Sequence, residues 1–420
     1  MALSAAPNTL STMDGLFKSV YDDKLRDVVP NFALLQADIP FKKGKRTGKQ
    51  FLSPIVLGME QGVVYALSGA GAFSLATVAA KAATMQEASL VGSQIVLSSQ
   101  IDYETAASAD SGKAAFENST GAMVRNMWKS MRKRVELNML YGGVGLGIVS
   151  SVNATAGTIV LKSTKWADGI WAGMEGAQLQ FASGTTTSSS DAIITGVNLS
   201  TRTLTFNTTT SVKLVTAADV AYFTSSITGG VGSNEAKGII SLLNSPTNVF
   251  GITCASYSLW NPTVYDGGAT AGAFVDIQRA LAKGVAKGLD SDVVCYMNPG
   301  DWEKLSTTQS AYRVYDSSYT KTRYETGAEE LRFHSQTGMI TVKPHPFVWA
   351  GYAPIIDPKL WSRIGATDVT FNRANMGGSV DRSASFFIEM ETKAGYELRC
   401  YSHQALFTEA LGKGVLLYSF

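Results

Sequence analysis

Apolar side chains recur at Phe116, Met123, Met127, Met131, Val135 and Met139, in steps of four with one of seven. That spacing places them on one face of an α-helix. No proline interrupts Ser111–Tyr141, and Lys113, Arg125, Lys129, Arg132, Lys133 and Glu136 fall largely on the opposite side. Gly142 and Gly143 follow, as glycines do past a helix C-terminus. A rod of that length would run roughly 45 Å at 1.5 Å per residue. A shorter helix is predicted over Met13–Val29, with Leu16, Val20 and Leu25 on one side and Pro30 as its stop.

The period changes on both sides of the long helix. Phe51–Val64 and Glu87–Tyr103 read as two strands, the second alternating at Ile95, Leu97, Ser99 and Ile101. They enclose a stretch of small residues, and two such strands alone would be marginally stable. They need another subunit to lie on. Ile148–Thr224 is rich in Thr, Ser, Ala and Gly, with strands expected at Gly157–Lys162, Ala177–Phe181, Ala192–Val197, Thr203–Asn207 and Val220–Phe223. Asn198–Thr201 reads as a hairpin turn. The expectation is a small inserted β-barrel or sandwich.

Mixed structure returns at Asn234. Glu235–Leu243 and Ala271–Leu289 read as helices, the second with Val275, Leu281, Val285 and Leu289 as its apolar set. Asp292–Met297 is a buried-type strand, Pro299 opens a helix with Trp302 and Leu305 inward, and Glu330–Phe333 with Gly338–Lys343 form a hairpin. The proline-broken Pro344–Pro354 reads as loop. Strands close the chain at Val369–Asn372, Phe386–Glu391, Glu397–Ser402 and Gly414–Phe420.

Composition narrows the function. Lys+Arg 36 against Asp+Glu 34 gives no overall electrostatic case for nucleic acid or membrane. The run Lys42–Lys49 holds five cations in eight residues. It reads as a solvated linker, with a polyanion contact or pairing with acids such as Glu60 or Glu87 as the other readings. Gly62–Ala80 carries no charge, but its glycines and hydroxyls make it a packing loop rather than a membrane span. The N-terminus has no secretory pattern. Cys254, Cys295 and Cys400 show no metal-ligand spacing and read as buried hydrophobes. His334, His345 and His403 form no HExxH pattern; no GxGxxG, GxxxxGK[ST] or GxSxG is present. The acid pairs Glu329–Glu330 and Glu389/Glu391 read as solvated. An enzyme is not expected.

The order of parts resembles that of tailed-bacteriophage major capsid proteins, whose fold is shared with herpesvirus shells and encapsulins. MDGLFKSVYDDKLRDVVPNF running into IPFKKGKRTGKQFLSPIVLGMEQGVVYA looks like their arm and first strand. VGSQIVLSSQIDYETAASA followed by GKAAFENSTGAMVRNMWKSMRKRVELNMLYG looks like the returning strand and spine helix, and VVCYMNPGDWEKL like the strand-to-helix step of the axial domain. The resemblance implies an α+β capsid fold divided into an N-terminal arm (1–50), extended loop (51–105), spine helix (106–145), inserted β domain (146–231), axial domain (232–365) and closing sheet (366–420). It implies a subunit of pentamers and hexamers in an icosahedral virion shell that encloses double-stranded viral DNA and is assembled in the cytoplasm of a bacterial host. No cofactor or metal is implied. The expected partners are the chain itself, a separate scaffolding protein, a portal, DNA held without sequence preference and, in some relatives, a decoration protein; no membrane is among them. Lys42, Lys43, Lys45, Arg46, Phe73, Lys81, Met127 and Met131 are the candidate subunit-contact residues. An encapsulin-like compartment shell is the alternative, and a secreted β-rich hydrolase a distant one.

Overall fold

The structure is a computed structural model that describes residues 33–43, 50–62, 82–104, 119–184, 186–187, 191–228, 232–268, 273–310, 331–336, 338–371, 388–390 and 394–420. The expected Met13–Val29 helix and the first turns of the long helix, with Phe116, lie outside the described residues. The described long helix, Ser119–Tyr141, buries Met127, Met131, Val135 and Met139 along the face its spacing predicts. Its opposite side is not uniformly wet. Glu136 is fully buried, and Leu137, Leu140 and Tyr141 are buried too, so the last two turns are enclosed all round. Gly142 lies so close to the Ala236 carbonyl that a Cβ would meet its oxygen at 1.9 Å, and Gly143 turns at φ +81°. Both glycines are demanded by the helix exit.

Two sheets flank this helix. In the first, Trp361–Thr370 pairs with Phe41–Lys43 on one side and the fourteen-residue strand Gly395–Thr408 on the other. The far side of Gly395–Thr408 carries Ser93–Asp102, with Ser93 opposite Gln404 and Asp102 opposite Gly395. The second has six strands in the order Thr263–Asp266, Val415–Tyr418, Tyr352–Ile356, Val293–Met297, Met339–Pro344, Leu331–His334. Helices Ala273–Val285 and Pro299–Ser310 supply Ile277, Ala280, Leu281 and Leu305 to a core with Val293, Cys295, Val342 and Leu417. The inserted segment closes on itself: Val220–Phe223, Gly147–Asn153, Thr158–Leu161, Thr203–Phe206, Ala192–Asn198 and Gln178–Ser183 pair in sequence, and the last returns to Val220–Phe223. It is a barrel.

Several expectations change. Glu87–Tyr103 is not one strand. Met85–Leu90 stays in the hairpin with Phe51–Val56, the chain breaks step at Val91-Gly92, and Ser93–Asp102 crosses into the first sheet. Pro344–Pro354 is not all loop, because Tyr352–Ile356 is an inner strand. Pro354 is tolerated there because pairing with Val293–Met297 begins only at Ile355, so the missing N–H faces no second neighbour. Of the expected Val369–Asn372, Val369 and Thr370 are the tail of the longer Trp361–Thr370 while Asn372 lies outside the described residues, and Gly147–Asn153 is an unforeseen first barrel strand. The Glu235–Leu243 helix begins only at Ile239. On Ala273–Val285, Val275 is exposed and Asp276 buried, so the inward face is rotated from the expected set.

Candidate subunit interface

The hairpin of Phe51–Val56 and Met85–Leu90 has two unlike faces. Residues directly opposite share a face, and the register sets Phe51 against Leu90 and Val56 against Met85. Phe51, Ala88 and Leu90 turn toward the body, where the Phe51 ring meets Phe407 edge-on at 5.6 Å and Phe407 meets Phe250 at 5.4 Å. The Ser89 N–H donates to the Phe250 carbonyl at 2.8 Å, pinning the base of the hairpin. The other face carries Leu52, Pro54, Val56, Met85 and Glu87. Val56 is 60% exposed, Met85 63%, and the following Met59 77%. A two-strand element with that much apolar surface in water is built to be covered.

The root of the arm is held more firmly. Helix Leu34–Asp38 has no cap of its own; its Leu35 and Gln36 N–H groups donate to the buried carboxylate of Glu136 at 2.6 and 3.2 Å. His345 Nε2 lies 3.1 Å from the same carboxylate, and its Nδ1 accepts the Phe347 N–H at 3.2 Å. An accepting Nδ1 fixes the proton on Nε2, which donates to Glu136. At the other end of the helix, Asp38 accepts from Tyr296 at 2.6 Å and pairs with Lys343 at 2.9 Å. Burial and the Asp38 charge push the Tyr296 hydroxyl far above its ordinary range. Arg363 donates to the carbonyls of Ile39 and Gln36. Four distant stretches of sequence, around Glu136, Tyr296, Lys343 and Arg363, therefore hold the arm root.

A second clamp ties the barrel to the body. Lys165 Nζ lies 4.1 Å from the Trp349 ring centroid and 4.4 Å from that of Tyr352, and burial pushes its amine down to about 8. Lys133, lowered to about 8 by burial and by the adjacent Arg134, donates to the Ala172 carbonyl at 2.8 Å. Trp349 Nε1 donates to the Leu146 carbonyl at 3.1 Å.

The candidate residues divide unevenly. Lys42 and Lys43 lie in the Phe41–Lys43 strand rather than a free linker; Lys42 Nζ is 4.0 Å from Glu409, with both side chains more than half exposed. Such a pair contributes below ~1 kcal/mol. Lys45, Arg46, Phe73 and Lys81 lie outside the described residues. Met127 and Met131, expected at a subunit contact, are 5% and 0% exposed and pack on Leu398 and Cys400 of their own chain, which leaves little of either side chain to offer a neighbour. The structure adds Leu52 and Val56, which alternation in FLSPIV would have placed on one open face, together with Met85, set opposite Val56 by the register, and the following Met59. It also adds Glu136, for which the sequence carries no signal. Among the described residues no cluster of three or more His, Cys, Asp or Glu could hold a metal, and no helix is long and apolar enough to cross a membrane.

Solved structures match along nearly the whole chain. The cyanophage A-1(L) capsid asymmetric unit aligns at TM-score 0.58 and 11% identity, covering 98% of this chain and 99% of that one. The capsid of a native GTA particle aligns at TM-score 0.51 and 9% identity, covering 98% and 99%. This is the capsid fold of tailed bacteriophages. No protein-family model matches the chain, and no curated protein does.

Proposed function

We propose that the chain is a major capsid protein that assembles into pentamers and hexamers of an icosahedral shell enclosing double-stranded DNA, without catalysis or cofactor. The supporting observation is the full-length likeness to the cyanophage A-1(L) capsid asymmetric unit, joined to a hairpin whose outer face has no cover among the described residues. One heterologous contact, hairpin against a neighbour, closes into rings when the rotation per subunit permits. Many weak contacts then sum into a stable shell. A separate scaffolding protein and a portal belong to this reading, with DNA held by non-specific contact inside a virion built in the host cytoplasm.

Electron microscopy of the purified full chain, with and without an added scaffolding protein, tests it. Rings or closed shells are expected. The double variant Val56→Ser/Met85→Ser should keep the wild-type melting curve yet sediment as a monomer, because both side chains are in water in the single chain. A sharp monomeric boundary for folded wild-type chain, scaffold present, would sink the reading.

A further inference from the structure

Between the outer edge of Ser93–Asp102, the long helix and the mouth of the barrel lies a groove of about 650 Å³. Ser93–Ser98 forms one wall, Arg134 and Asn138 the floor, and Gln178 with Phe223–Ser226 the other wall. The strand wall is a sheet edge: Gly395–Thr408 pairs with Ser93–Asp102 on one side, and no described strand pairs on the other. An open edge of this length is a template for another strand.

Three polar atoms of the lining are unsatisfied. Ser93 Oγ, Asn138 Oδ1 and Thr224 Oγ1 are buried without a hydrogen-bond partner. Arg134 stacks its guanidinium on the Phe223 ring at 3.1 Å and makes no hydrogen bond or ion pair with the described residues. Burial pushes its pKa down to about 10, an effect the charge of Glu235 across the groove only partly offsets. The Glu235 oxygens themselves are taken by Ser226 Oγ at 2.6 Å and the Gly143 N–H at 3.0 Å, which leaves the guanidinium N–H groups without a hydrogen-bond acceptor among the described residues. The groove therefore offers backbone donors and acceptors along one wall, a lone amide acceptor, two hydroxyls and a fork of unused guanidinium donors. Those are the groups that meet an extended peptide with a carboxylate side chain.

Size selects one strand rather than a hairpin. Six strand residues span roughly 20 Å, which leaves a cross-section of about 30 Å² for that volume, the scale of a single extended chain. The exposed hairpin of a second copy is two strands wide and is a poor fit.

We propose that this groove is a binding site for a single extended acidic segment of a separate partner protein, which adds as a strand to the Ser93–Asp102 edge and places a carboxylate on Arg134. The site is independent of the shell contact. The probe is a seven-residue peptide of alternating valine and threonine with a central glutamate, beside its glutamine twin, added to the full chain in unassembled form. The glutamate peptide should slow amide exchange at Ser93–Ser98 and bind at least about tenfold more tightly than the twin, as expected for a desolvated charge-assisted pair. Arg134→Gln should erase that difference while leaving particle formation unchanged. No exchange protection, equal binding of the two peptides, or an Arg134→Gln chain that still prefers glutamate each overturns the proposal. Removing residues 1–32 is the control for self-occupancy. If that truncation alone deprotects Ser93–Ser98, the groove belongs to the chain's own N-terminal segment and the proposal fails; loss of particles with peptide binding intact would count against the shell reading only.

Discussion

Glu136 shows how much one side chain decides. Its carboxylate accepts two backbone N–H groups of the arm root and one imidazole N–H in a fully buried site. Glu136→Ala strands all three donors, and such losses cost about 3–5 kcal/mol. Urea denaturation should show a drop of that order, and amide exchange at Leu35 and Gln36 should rise even under conditions where the rest stays folded. An unchanged exchange rate at those two amides would mean the arm root is held by Asp38 and Arg363 alone. Lys165 gives a pH signature. Its folded-state pKa, about 8, lies below the ordinary lysine value of 10.5, so between those values the unfolded chain binds more protons. Stability should therefore rise as pH increases through that window, with the cost of burying the charge fully present below it. Comparing melting temperatures at pH 7.5 and 9.5, Lys165→Met should show a smaller rise than wild type. Equal slopes would place the amine in water.

At the scale of elements, the long helix serves its own chain first. Met131 is fully buried against Leu398 and Cys400, so Met131→Ala should cost about 2–5 kcal/mol of subunit stability, measurable in denaturant on unassembled chain. A variant with wild-type stability that fails only in assembly would restore Met131 to the interface. The error in the sequence reading was not one of periodicity. The apolar face was correct, but periodicity says that a face is covered and not by which chain. Barrel strands such as Thr203–Phe206 were legible because alternate residues are buried, giving a local period of two. Trp361–Thr370 hid its strand, since its first five residues are all buried, Ser362 and Arg363 among them. Arg363 is satisfied by Asp368 nearby and by Ile39, Gln36 and Gln404, and those last three are partners that no local window contains. Glu136 misled for the same reason: a charge on a helix reads as solvated until Leu35 and His345 are folded onto it. The open face of the hairpin was legible in kind, through its lack of a core, but its residues were passed over for the more conspicuous cations nearby.

The whole molecule raises the question of whether the barrel is a guest or a member. Its strands form a closed ring, so its backbone hydrogen bonds are internal and no edge depends on the body. Its side chains tell a different story. Trp166 and Trp171 belong to the same continuous core as Tyr141, Phe347 and Trp349. Gly169 lies against Pro346 so closely that a Cβ would come within 2.6 Å of its carbonyl oxygen, and the Ala350 N–H donates to the Trp166 carbonyl at 3.2 Å. We propose that a fragment spanning Gly147–Gly230 folds by itself, because the ring of strands closes within it, but is weaker than in the full chain because one flank loses its cover. Its far-ultraviolet circular dichroism should be β-type with a cooperative melt. Tryptophan emission should be red-shifted relative to the full chain as Trp166 and Trp171 meet water, and substituting Trp171, whose ring stacks on Trp166 at 5.7 Å, should change the fragment's stability less than that of the full chain. A disordered spectrum would show that the body templates the barrel. A fragment as stable as the full chain, with unshifted tryptophan emission, would show instead that the shared core contributes nothing and that the two parts merely touch.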